Sequence, residues 1–144
     1  MIGIIVSGHG RFANGLNSAI QLIAGNQKDF VEVNFEHEVD QLNEDLKNAI
    51  ESLKDCEGII VFTDLAGGSP FKTASMLATQ YKNIEVIAGT NLPMLAEVVM
   101  SRAFISDLSS LVNTALNTGK EQVTRLDLES LLSDNEEEEP EEGI

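Results

Sequence analysis

The sequence predicts an α/β fold, an open and mainly parallel doubly wound sheet with helices on both faces. Two observations carry this. Apolar, β-branched runs alternate along the chain with stretches of amphipathic helical spacing, and the runs are continuous, as in strands covered on both faces. Parallel strands need right-handed crossovers, so a βαβα order lays helices above and below one sheet. With the first and third strands adjacent where the winding reverses, the strand order is 2-1-3-4.

Each element has its own signal. Ile2 to Ser7 is an apolar run and forms strand one. After a glycine turn, Leu16, Ala19, Ile20 and Ile23 fall at i, i+3, i+4 and i+7, and Gly25 stands where that first helix stops. Val31 to Phe35 is strand two, and Leu42, Leu46, Ala49, Ile50 and Leu53 mark a second amphipathic helix. The run GIIVFTD, ending at Asp64, is strand three. Ser69 and Pro70 then start a helix: the serine oxygen can cap free amides, and proline in the first turn gives up no needed donor. Phe71, Ala74, Leu77 and Ala78 face inward from it. IEVIAG is strand four, and Pro93 in NLP opens a fourth helix. Leu108, Leu111, Val112, Ala115 and Leu116 extend the helical region to a stop at Gly119. QVTRL, ending at Leu126, reads as a short fifth strand, and a brief helix from Asp127 to Leu132 follows.

At 144 residues the chain has the length of one domain, with room for a core that needs no staples. We place the domain at residues 1–132 and an acidic, disordered tail at residues 133–144. The formal net charge is −15, and the last twelve residues hold seven acids and no base, which leaves −8 on the other 132. With only nine lysines and arginines, the composition argues against a nucleic-acid partner; an acidic body favours a partner with a basic face. No apolar run approaches the ~20 residues needed to span a bilayer, and Met1 leads straight into a strand with no signal-peptide pattern, so a cytoplasmic protein is expected. The single cysteine, Cys56, excludes an internal disulfide and reads as a small packing residue.

The functional crevice of such a sheet lies at the carboxyl ends of its strands, where the winding reverses. The loops after strands one and three meet there, and they hold His9 and Asp64. In SGHG, glycines on both sides of His9 keep the ring open to a large partner. Asp64 can accept a bond from one imidazole nitrogen, which fixes the tautomer and leaves the other nitrogen with its lone pair directed outward. Gly67, Gly68 and Ser69 lead into a helix start through Pro70 and Phe71, and the free amides there seat an anion such as a phosphoryl group. An exposed histidine, a carboxylate and an anion seat at one crevice point to phosphoryl transfer through phosphohistidine. Arg11 and Lys72 flank the crevice in sequence and read equally as bases that steady a phosphoryl charge or as ordinary surface bases.

Other readings fit less well. Gly8, Gly10 and Ala13 match a dinucleotide-binding fingerprint, with Glu36 as the ribose acid, but Glu36 comes 28 residues after Gly8 where ~20 is the usual spacing. A phosphate P-loop is excluded because Ala66 and Phe71 stand where its glycines belong. His37 has no second histidine nearby and reads as a solvated loop residue; no metal and no cofactor is expected.

SGHG, TDLAGGSPF and VIAGTNLPMLAE, in this order and at this spacing, resemble the IIA component of the mannose family of the bacterial sugar phosphotransferase system. The resemblance runs from Ile2 to about Leu132. It implies that His9 takes a phosphoryl group on Nε2 from the phosphocarrier HPr and passes it to a IIB component, with Asp64 bonded to Nδ1 and Ser69 at the anion seat. It also implies a homodimer in which a strand near Val123 to Leu126 is exchanged and pairs antiparallel, while the membrane IIC and IID components are met only indirectly. No IIB-like stretch follows Leu132, so a separate IIB chain is the expected acceptor. A related phosphocarrier subunit of dihydroxyacetone kinase and a small nucleotide-binding regulatory module are the rival functions.

Overall fold

The structure is a computed structural model, and it describes residues 1–134. Four parallel strands, β1 (Gly3–His9), β2 (Phe30–Phe35), β3 (Ile59–Thr63) and β4 (Ile84–Ile87), form one sheet in the order β2-β1-β3-β4. The step from β1 to β2 runs one way across the sheet and the step from β3 to β4 the other, so the winding reverses between β1 and β3, as expected from the sequence.

Both faces of the sheet are covered. On one, Ile4 and Val6 of β1 with Ile60 and Phe62 of β3 pack under α1 (Phe12–Ala24), α4 (Leu92–Ser101) and α5 (Leu108–Glu121). On the other, Ile5, Val33, Ile59 and Val61 pack under α2 (Val39–Ser52) and α3 (Ser69–Ala78). Adjacent residues of β1 and β3 thus serve opposite cores, which is why those strands read as continuous apolar runs. Among the described residues no helix is long and apolar enough to cross a membrane.

Several expectations need correction. Ser69 does not cap α3: Gly68 occupies the N-cap and no side chain caps the helix, while Ser69 is its first residue. The helical region after Pro93 is two helices, α4 and α5, separated by the segment around Asp107, whose carboxylate accepts from the Ser110 N–H at 3.0 Å and caps α5. Gly119 is not a stop either. It lies buried within α5, where a Cβ would stand 2.4 Å from Met94 Cε; the residue is small because α4 packs against it there.

Val123 to Leu126 is not paired as a strand within the chain, and its residues are exposed. The last helix, α6, spans Leu128–Asp134, started by the Asp127 side chain, which accepts from the Ser130 N–H at 3.2 Å. Ser133 and Asp134 therefore belong to a helix rather than to a disordered tail. Residues 135–144 of that tail lie outside the described residues.

Candidate functional site

His9 ends β1 and Asp64 directly follows β3, so the reversal of winding brings them together at the carboxyl edge of the sheet. His9 Nδ1 lies 2.8 Å from Asp64 Oδ2, and the His9 backbone N–H donates to the same oxygen at 2.8 Å. The Leu65 N–H donates to Oδ1 at 2.7 Å. Both carboxylate oxygens are thereby held. Behind them, the Asp64 carbonyl accepts from the Gly89 N–H at 2.7 Å and Thr63 Oγ1 donates to the Ile87 carbonyl at 2.7 Å, which ties the end of β3 to β4.

Partial burial pushes the Asp64 pKa up, but the two hydrogen bonds from His9 and the one from Leu65 outweigh it and hold the carboxyl below its ordinary range. At neutral pH Asp64 is therefore a carboxylate and only accepts hydrogen bonds. The contact with the ring then requires the proton on Nδ1. In a neutral imidazole that leaves Nε2 with a free lone pair. The His9 side chain is 46% exposed and that of Asp64 only 13%, so the carboxylate sits behind the ring and the ring faces solvent.

Two further neighbours shape the ring's position. A Cβ built on Gly68 would lie 2.9 Å from His9 Cε1, so glycine lets the backbone of the β3–α3 loop pass close beside that edge of the imidazole. The Phe35 ring, at the end of β2, meets His9 in a T-shaped contact with centroids 5.5 Å apart and an interplanar angle of 67°. Sequence reasoning missed Phe35, which it read only as the last residue of a strand. The signal was present in the order 2-1-3-4, which sets the ends of β2 and β1 side by side; the register pairs His9 with Phe35.

The other sequence-picked residues divide. Ser69, Pro70 and Phe71 form the first turn of α3, with Pro70 buried, and Gly67 precedes them at φ +81°. The Gly68 N–H donates to the Leu65 carbonyl at 3.0 Å and Pro70 has none, so of the expected amides those of Gly67, Ser69 and Phe71 remain. Arg11 and Lys72 are exposed. Gly8 is small for a packing reason: a Cβ there would meet the Phe12 ring at 2.4 Å. His37 lies exposed in the turn after β2, and Cys56 lies at the opposite end of the sheet beside Gly3, where burial, reinforced by Asp29, pushes its thiol up.

Comparison with known proteins decides the family. Residues 3–116 match the EIIA-man family model, described as the PTS system fructose IIA component. The chain belongs to the EIIA-man family. Its matched region is thus a IIA component of the phosphotransferase-system type. It is similar to the mannose-specific EIIAB component of Escherichia coli (strain K12), 32% identical over 127 residues that make up 87% of this chain and 39% of that longer protein. It is also similar to the fructose-specific EIIA component of Bacillus subtilis (strain 168), 28% identical over 140 residues that cover 94% of this chain and 95% of the relative. Among solved structures, the EIIA component from Streptococcus agalactiae superposes with a TM-score of 0.80 at 35% identity, covering 87% of this chain and 97% of that one.

Proposed function

We propose that this EIIA-man domain carries its phosphoryl group on His9 Nε2, taking it from HPr and passing it to a IIB component during sugar uptake. The observation that carries the reading is the 2.8 Å contact between His9 Nδ1 and Asp64, which directs a bare Nε2 away from the carboxylate on a half-exposed ring. In the transfer, the Nε2 lone pair forms a bond to phosphorus as the bond from phosphorus to the donor's histidine nitrogen breaks, and that nitrogen keeps the electron pair. One phosphohistidine replaces another, so the step is close to isoenergetic and reversible. The negative charge spread over the phosphoryl oxygens is met by the amides of Gly67, Ser69 and Phe71 at the positive end of α3 and by the Ser69 hydroxyl, which does not cap the helix. No metal takes part in this scheme.

The same reading covers the assembly. The domain works in the cytoplasm as a homodimer, in which the Val123 to Leu126 segment of each chain adds antiparallel to the open edge of its partner's sheet. What supports this is the set of large apolar side chains exposed along the C-terminal arm, with Val123 at 75% and Leu126 at 67% exposure. The edge of β4, paired on one side alone, is available to receive such a strand.

Incubation of the full chain with enzyme I, HPr and labelled phosphoenolpyruvate tests the reading. The wild type is expected to take up acid-labile label that maps to His9, and His9→Ala to take up none. Label on the alanine variant overturns the assignment.

A further inference from the structure

Phe35 has a place at the site that the phosphocarrier motifs do not account for. The imidazole hangs from Cβ, and a hydrogen bond at Nδ1 still leaves small coupled changes in χ1 and χ2 that redirect Nε2. The direction of Nε2 then depends on what touches the ring elsewhere. Gly68 lies against Cε1. Another neighbour is the Phe35 ring, set across the imidazole at 67° with its centroid 5.5 Å away.

Phe35 is itself well anchored. It pairs with His9 in the β1–β2 register, and its carbonyl accepts the Gly10 N–H at 2.8 Å just past the nucleophile, where Gly10 has φ +60°. Its side chain is half-buried and packs against the core beneath α2. A rigid wall of this kind resists a swing that a solvated loop residue would permit.

We propose that Phe35 is a positioning residue: its ring, with Gly68 and Asp64, clamps the His9 imidazole so that Nε2 meets the incoming phosphorus in line. The proposal rests on His9 being the phosphoryl acceptor. It assigns Phe35 no contact with the phosphoryl group and no part in donor binding, so its effect falls on the transfer step.

The test compares wild type, Phe35→Leu and Phe35→Tyr as full chains, each checked for folding by circular dichroism, with Phe35→Met in reserve should the leucine variant not fold. Single-turnover transfer is followed against the concentration of phosphorylated HPr, and the His9 ring protons are followed by NMR in the absence of any donor. The leucine variant is expected to lose about three- to tenfold in maximal rate, the span of one edge-to-face aromatic contact. Its half-saturating donor concentration stays unchanged, and its ring-proton resonances move as the aromatic neighbour is lost. The tyrosine variant is expected to restore both rate and resonances. A leucine variant that transfers as fast as wild type overturns the proposal, as does one that loses only donor affinity, or a loss that tyrosine does not repair. If wild type takes no label on His9, the phosphocarrier site itself is wrong and the proposal falls with it.

Discussion

Gly68 and Asp64 act on the same imidazole from two sides, and each supports a test. A methyl group added at Gly68 would stand 2.9 Å from His9 Cε1 and 3.2 Å from the Leu65 carbonyl oxygen, so the ring or the backbone must shift to admit it. Gly68→Ala is therefore expected to push the ring off its line and slow phosphoryl uptake by about tenfold or more, with a smaller effect on the unfolding midpoint; rapid-quench labelling and urea titration measure the two. Asp64→Asn keeps the shape but replaces an acceptor with an amide that no longer demands a proton on Nδ1, and uptake is expected to fall about 100-fold or more in the same labelling assay. The variant also has a stability signature. Because the Asp64 pKa is lower in the folded chain than in the unfolded one, the carboxylate stabilises the fold above its unfolded value of about 4, and that contribution is lost as pH falls through the folded value. Wild type should thus exceed Asp64→Asn in urea stability at neutral pH, with the margin closing in acid below about pH 4.

At the scale of elements, the end of the sheet opposite the site is held by Arg102, which caps α4. It is only 4% exposed, and its guanidinium donates to the Ile2 carbonyl at 2.9 Å, to the Asp29 carbonyl at 3.1 Å and to the Lys28 carbonyl. One side chain thereby joins the end of α4 to the start of β1 and to the loop between α1 and β2. Burial lowers its pKa from the ordinary arginine value, and the Asp29 carboxylate offsets part of that shift. Arg102→Ala is expected to cost about 3 kcal/mol in urea unfolding, because it strips the donor from three partly or fully buried carbonyls. Phosphoryl uptake at the far end of the sheet should persist in the variant while it remains folded.

At the scale of the whole molecule, the body and the C-terminal arm differ in kind. Each face of the sheet is sealed by helices, whereas every described residue from Glu121 to Ser133 is exposed, including Leu128, Leu131 and Leu132. The arm leaves five large apolar side chains exposed, and the proposed dimer would cover them. The double variant Val123→Asp with Leu126→Asp is expected to shift the protein from dimer to monomer in sedimentation equilibrium, with little change in helix content; a wild type that sediments as a monomer would remove the exchanged strand from the proposal. The body's negative charge adds a kinetic consequence at the same scale. It favours a partner with a basic face, whose association slows as salt is added.

Much of the fold and half of the site were legible from residue order. Strand and helix periods, the proline at the start of α4 and the glycine closing α1 are properties of neighbours within a few positions, so Ile4 to Val6 or Leu42 to Ile50 announce their elements without help. With β1 and β3 taken as neighbours where the winding reverses, their ends meet at one crevice, and with them His9 and Asp64. The rest depended on contacts between residues far apart in the chain. That His9 offers Asp64 its backbone N–H as well as its ring, across 55 positions, follows from where the β3–α3 loop turns. Phe35 reaches the imidazole through strand register, and Gly119 is small because Met94 crosses it; Ser69 yields the cap to Gly68 because the backbone turns one residue sooner. Local patterns record which way a side chain faces, since that is set by the period of its own element. Which partner it meets is set by how elements stack, and no stretch of a single strand or helix contains that information.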